Sequence, residues 1–167
     1  MKNLVLTGFM GTGKTTVGKL IAKKLGYRFT DTDVEIEKQE GKTISELFEL
    51  YGEDGFRDIE SRVVAELGKK KNTVIATGGG VVLRKENMDN LRKNGVIVLL
   101  RTDLDTIVHR LADKTDRPLA KGKTAEELAA RLASREAFYA DNDFAFDVGQ
   151  HSPLCVADKI IQLYKML

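Results

Sequence analysis

The chain has 167 residues with 27 lysines and arginines against 25 acidic residues, a near balance that excludes a polybasic surface for nucleic acid or anionic lipid. Its length fits one domain, residues 1–167, able to bury a core, and no apolar run is long enough to span a bilayer. The lone cysteine, Cys155, excludes an internal disulfide and suits a reducing compartment; with no secretory signal visible, the chain reads as cytoplasmic.

The first predicted element is a short buried strand, Leu4–Thr7. It runs directly into Gly8-Phe9-Met10-Gly11-Thr12-Gly13-Lys14-Thr15, which matches G-x-x-x-x-G-K-[ST], and then into a helix predicted over Lys14–Leu25. Glycines let such a loop turn backbone N–H groups around phosphate oxygens, and the helix N-terminus adds a favourable dipole. In that arrangement Lys14 reaches the β- and γ-phosphates and the Thr15 hydroxyl ligates Mg²⁺. A glycine-rich turn arising by chance is the plain alternative. The strand before and the helix after favour a nucleoside triphosphate site.

The second predicted strand, Arg28–Thr32, ends in Asp31-Thr32-Asp33. The two carboxylates there can serve a metal and an acceptor hydroxyl, provided the chain turns at that point. Capping of a following helix is the simpler reading of the same residues. Farther on, Arg57 follows Phe56 and precedes Ile59, so it points partly inward, with an i,i+3 ion pair to Glu60 as its structural explanation. The third strand, Thr73–Ala76, leads into Thr77-Gly78-Gly79-Gly80, where missing side chains allow close approach of a ligand to backbone. Gly79 is the central candidate for such a contact, against a merely flexible loop.

After a fourth strand, Val96–Leu100, Arg110 ends a helical stretch where it suits stacking on adenine or complementing the helix dipole. Arg117, in Lys114-Thr115-Asp116-Arg117-Pro118-Leu119, sits in a polar, glycine-bearing segment of the kind that forms a mobile lid, about residues 111–123. A lid arginine can cover a transferring phosphoryl group; an exposed loop arginine is the alternative. On the helix Glu126–Tyr139, Arg135 shares a face with Leu128, Leu132 and Tyr139. That position calls for an anion, unless the side chain snorkels. Two inward arginines, Arg57 and Arg135, could grip one planar carboxylate through forked hydrogen bonds. A fifth strand, Phe144–Val148, and a helix, Val156–Tyr164, close the chain, with Cys155 in Leu154-Cys155-Val156 read as a small core residue. His109 and His151 receive structural readings.

The strand–helix alternation argues for an α/β fold with a mainly parallel sheet, whose ligands bind beyond the carboxyl ends of the strands. Taken together, Gly8–Thr16, Asp31-Thr32-Asp33, Phe56-Arg57 with Glu60, Gly78-Gly79-Gly80, Arg117-Pro118-Leu119, and Arg135 followed by Tyr139 resemble shikimate kinase along essentially the whole chain. The resemblance implies a P-loop NTPase of the nucleoside-monophosphate-kinase type: three α/β/α layers around a five-stranded parallel sheet in the order 2-3-1-4-5. It implies transfer of the γ-phosphoryl group of ATP to the 3-hydroxyl of shikimate, in aromatic amino acid biosynthesis through chorismate, by a monomer. By resemblance Asp33, Arg57, Gly79 and Arg135 bind shikimate, and Phe48 and Phe56 line its pocket. Lys14, Asp33 and Arg117 are the catalytic candidates. Thr15 and Asp31 serve Mg²⁺, Asp31 through water. Gly11, Thr12, Gly13, Lys14, Thr15, Thr16, Arg110 and Arg117 hold ATP. The stretch Gly149-Gln150-His151-Ser152-Pro153 lacks an arginine that some members carry on the adenine side.

Two other readings compete. Another small-molecule P-loop kinase, such as one for gluconate or a nucleotide, would share the fold, and gluconate also calls for a carboxylate grip. A GTP-binding switch would use Asp113-Lys114-Thr115-Asp116 as a variant of N-K-x-D, but that segment follows a helix and Asp147-Val148-Gly149-Gln150 is not D-x-x-G.

Overall fold

The computed structural model describes residues 2–9, 12–102, 125–149 and 151–167. Five strands are found there: β1 (Asn3–Thr7), β2 (Arg28–Asp31), β3 (Thr73–Ala76), β4 (Gly95–Arg101) and β5 (Phe144–Asp147). All pair in parallel, in the order β2-β3-β1-β4-β5. The expected sheet order is therefore the observed one.

Alternation along the central strands divides the core between the two sheet faces. On one face Val5, Ile75, Ile97 and Leu99 pack with residues of α2 (Thr32–Glu40), α3 (Ile44–Leu67) and α4 (Lys85–Arg92), and with Tyr139 of α5 (Ala125–Tyr139). On the other, Leu4, Leu6, Val74, Val96, Val98 and Leu100 pack with α1 (Lys14–Leu25) and α6 (Pro153–Lys165). Strands covered on both faces are apolar at nearly every position, which is why they read as continuous runs. Buried Asn3 ties the base of the sheet: its carbonyl oxygen accepts from the Thr73 N–H at 3.1 Å, and its amide donates to the Lys70 carbonyl at 2.7 Å.

Helix ends explain where sequence boundaries shift. β2 stops at Asp31 because its carboxylate caps α2, so Thr32, expected to be in the strand, starts the helix. Thr43 and Glu46 form a reciprocal capping box at the start of α3. Ser152 caps α6 and Pro153 opens it, placing its start before the expected Val156. This earlier start corrects the reading of Cys155. It lies in the first turn and is only half-buried, while Val156 alone of Leu154-Cys155-Val156 reaches the core. Within α3 the helical path breaks at Gly52, where φ is 70° and ψ is −178°.

Candidate active site

The carboxyl ends of β1, β2 and β3 meet beside the N-terminus of α1. Gly8 leaves β1 with φ 143°, and a Cβ there would fall 2.2 Å from the Leu100 carbonyl oxygen. Only glycine starts the loop this close to β4. Gly13 precedes α1 in a left-handed conformation, with no side-chain cap and no acidic residue in the first helical turn. The first N–H groups of α1 are thus not taken by a capping side chain, and the dipole end stays favourable to an anion. Within the loop, the Thr12 hydroxyl donates to the Phe9 carbonyl at 2.8 Å. The buried Lys14 ammonium donates to the carbonyls of Gly8 at 2.5 Å and Phe9 at 3.1 Å. Thr16 is exposed on the first turn.

The capping reading of Asp31 holds on one carboxylate oxygen, and the other oxygen faces Thr15. Oδ1 accepts from the N–H groups of Asp33 at 2.8 Å and Val34 at 3.3 Å, capping α2. Oδ2 accepts from the Thr15 hydroxyl at 3.0 Å. A hydroxyl and a carboxylate side by side form a hard oxygen donor set, which fits Mg²⁺ held by few protein groups. The chain does turn after Asp31, which carries Asp33 into the first turn of α2 and separates the two carboxylates.

Two of the three consecutive glycines have a more local cause than ligand approach. A Cβ on Gly78 would meet Asp33 Oδ1 at 2.6 Å, and one on Gly80 would meet Arg57 Nη1 at 2.2 Å. The protein's own Asp33 and Arg57 occupy the space beside this loop. Its backbone is fastened on both sides of the Gly78–Gly79 peptide: Gly78 N–H donates to the Thr32 hydroxyl at 2.8 Å, and the Tyr139 hydroxyl donates to the Gly79 carbonyl at 2.7 Å.

Arg57 and Arg135 are 5% and 3% exposed, so neither snorkels. The expected Arg57–Glu60 pair is present at 2.9 Å, and Glu53 lies 3.6 Å from Nη2. Phe48 and Phe56 stack with centroids 4.4 Å apart, and the Arg57 guanidinium lies 5.9 and 5.3 Å from their rings. Among the described residues Glu60 is the sole buried carboxylate facing these two guanidinium groups. Burial pushes its carboxyl above the usual range, with Arg57 opposing. Burial also lowers the Arg135 guanidinium, partly offset by the Tyr139 hydroxyl beside it. Arg57 Nε and Nη2 and Arg135 Nη1 are buried with no hydrogen-bond partner among the described residues. Two buried cations against one buried anion leave positive charge and directed N–H groups that an incoming carboxylate would satisfy.

A cleft of about 410 Å³ opens beside Arg135, lined also by Glu53, Leu83, Glu127 and Arg131. Sequence reading missed Thr32, Glu53 and Arg131. Thr32 was hidden between two aspartates, whereas Glu53 and Arg131 stand one helical turn before Arg57 and Arg135, a spacing that could have found them. Gly11, Arg110 and Arg117, with the expected lid, lie outside the described residues.

A profile of the shikimate kinase family matches residues 10–165. The shikimate kinase of Thermodesulfovibrio yellowstonii is 51% identical over 100% of this chain and 97% of its own length. That of Caldicellulosiruptor bescii is 47% identical over 98% of this chain and 96% of its own. The structure of a shikimate kinase from Acinetobacter baumannii in complex with shikimate superposes with a TM-score of 0.94 at 36% identity, covering 99% of this chain and 94% of the other.

Proposed function

The chain belongs to the shikimate kinase family, and on that premise we propose how its own residues carry out phosphorylation of shikimate by ATP. The observation that carries this reading is the buried pair of arginines with unsatisfied N–H groups beside Asp33 and the Gly78–Gly80 loop. Arg57 and Arg135 take the acceptor carboxylate, with Phe48 and Phe56 walling the ring. This grip turns the 3-hydroxyl toward Asp33, which orients it and accepts its proton. Because phosphoryl transfer is largely dissociative, the placement of Asp33 matters more than its basicity.

On the nucleotide side, the loop from Gly11 to Thr16 holds the ATP phosphates. Lys14 exchanges its contacts with the Gly8 and Phe9 carbonyls for phosphate oxygens. Thr15 and Asp31 would hold Mg²⁺. When bound, that ion neutralises charge on the transferring phosphoryl group. Arg117 adds positive charge there and Arg110 borders the adenine; resemblance alone supports both assignments. The enzyme works as a single-domain monomer. Among the described residues no helix is long and apolar enough to cross a membrane.

The testing experiment measures ADP release from Mg-ATP with shikimate, gluconate, nucleoside monophosphates or no acceptor. Shikimate-dependent turnover well above the others is the expected result, and an Asp33→Asn variant should fall by about 10² or more in kcat. Near-normal turnover by that variant would remove Asp33 from the mechanism. Preference for gluconate would overturn the acceptor assignment while leaving the P-loop argument standing.

A further inference from the structure

Tyr139 is not among the residues assigned to acceptor, nucleotide or metal, yet it touches two of those assigned to the acceptor. It is buried, one turn after Arg135 on α5, and its hydroxyl donates to the Gly79 carbonyl 60 residues away in sequence. The Arg135 guanidinium lies close enough to that hydroxyl to interact with it. We propose that Tyr139 is a positioning residue for the acceptor, joining the carboxylate grip of Arg135 to the backbone of Gly79 so that both meet one molecule at a fixed separation. The proposal rests on the assignment of Arg135 and Gly79 to the acceptor.

Three consecutive glycines have wide backbone freedom, and ordering them costs more entropy than ordering other residues. The peptide that carries the Gly79 N–H lies between two fastened ones: Thr32 holds the preceding peptide and Tyr139 the following one. No described residue accepts from that N–H, so the bracketing holds a donor ready for a ligand. A carboxylate at position 139 could orient Arg135 but would neutralise it and compete with the acceptor. A phenol, kept protonated in its buried place, orients the guanidinium and leaves its charge for the acceptor carboxylate.

The test is Tyr139→Phe, which keeps the ring in the core and removes only the hydroxyl. Steady-state kinetics and calorimetric titration with shikimate would be run on protein shown to be folded by circular dichroism, well below its melting temperature. The expected result is a rise of about five- to tenfold in the shikimate KM and Kd, the size of one lost neutral hydrogen bond, with the ATP KM unchanged and kcat altered less than about twofold. A double-mutant cycle with Arg135→Lys should show penalties that fail to add. Unchanged shikimate affinity, or full additivity, would overturn the proposal. An Arg135→Gln control separates the two levels. If it weakens shikimate binding while Tyr139→Phe does not, the tyrosine proposal alone falls; if it does not weaken binding, the acceptor assignment falls and takes the proposal with it.

Discussion

Arg57 and Arg135 look interchangeable as carboxylate ligands, but their surroundings give them opposite consequences for stability. Arg57 is bound to buried Glu60 at 2.9 Å, so Arg57→Met would strand a carboxylate that burial already disfavours in its charged form. The cost expected for breaking such a buried pair is about 3–5 kcal/mol. Arg135 is buried near other cations, and its interaction with Tyr139 is with a neutral group. Arg135→Met should therefore change unfolding free energy by less than about 1 kcal/mol, or raise it. Both variants should lose shikimate affinity by about thirtyfold or more, since each removes a desolvated charge partner. Urea melts beside shikimate titrations would check the split, and equal destabilisation by both would contradict it. The sequence disclosed the inward placement of these arginines from their apolar neighbours. It could not disclose that Gly80 is glycine because the Arg57 guanidinium lies against it, since that contact joins residues on different elements.

At the element scale, the ends of helices carry the chemistry. Asp31 is both the cap of α2 and the neighbour of Thr15, and the two roles fall on different oxygens. Asn caps nearly as well as Asp, so Asp31→Asn should leave stability within about 0.5 kcal/mol. It should raise the Mg²⁺ concentration for half-maximal activity, by about tenfold if the charge serves the metal. A large drop in melting temperature with unchanged Mg²⁺ dependence would make Asp31 a cap alone. Sequence could name both roles but could not choose between them, because the choice depends on where each oxygen points. The break in α3 was not legible at all. Gly52 adopts a conformation that is essentially restricted to glycine, between Phe48 and Phe56, which stack across it. A Cβ there would meet nothing within 4 Å, so the cost of Gly52→Ala comes from backbone strain alone, about 1–3 kcal/mol in a thermal or urea melt. A neutral substitution would show that the break can heal into continuous helix.

Across the whole molecule, the sheet separates an acceptor side from a seam that joins the chain ends. The strands and their core were readable because strands covered on both faces read as continuous apolar runs, and the strand order came from the family resemblance, while the seam joins residues too distant in sequence to leave a pattern. In it Tyr164 donates to the Lys2 carbonyl and meets Tyr27 at 3.0 Å between hydroxyl oxygens, and the Lys24–Asp158 pair at 2.6 Å joins α1 to α6. Burial raises the Tyr139 phenol to about 12 on one side of the sheet, and burial with the Tyr27 contact raises Tyr164 on the other. Unfolded tyrosines ionise near pH 10. Each folded value lies above the unfolded one, so the stability these groups contribute is complete below about pH 10 and is lost as pH rises through the folded values, toward 12 for Tyr139. The chain has 4 tyrosines and no tryptophan, which leaves phenolate absorbance unobscured. Native protein should show Tyr139 and Tyr164 ionising late, whereas in denaturant all four should titrate together near pH 10. Tyr164→Phe should remove one late titration and flatten the alkaline fall in stability. It should cost about 1–3 kcal/mol at neutral pH by leaving the Lys2 carbonyl without its donor, with kcat and shikimate KM unchanged. Four early titrations in the native protein would refute the burial argument. A change in shikimate KM would show instead that the seam and the acceptor side are coupled through the sheet.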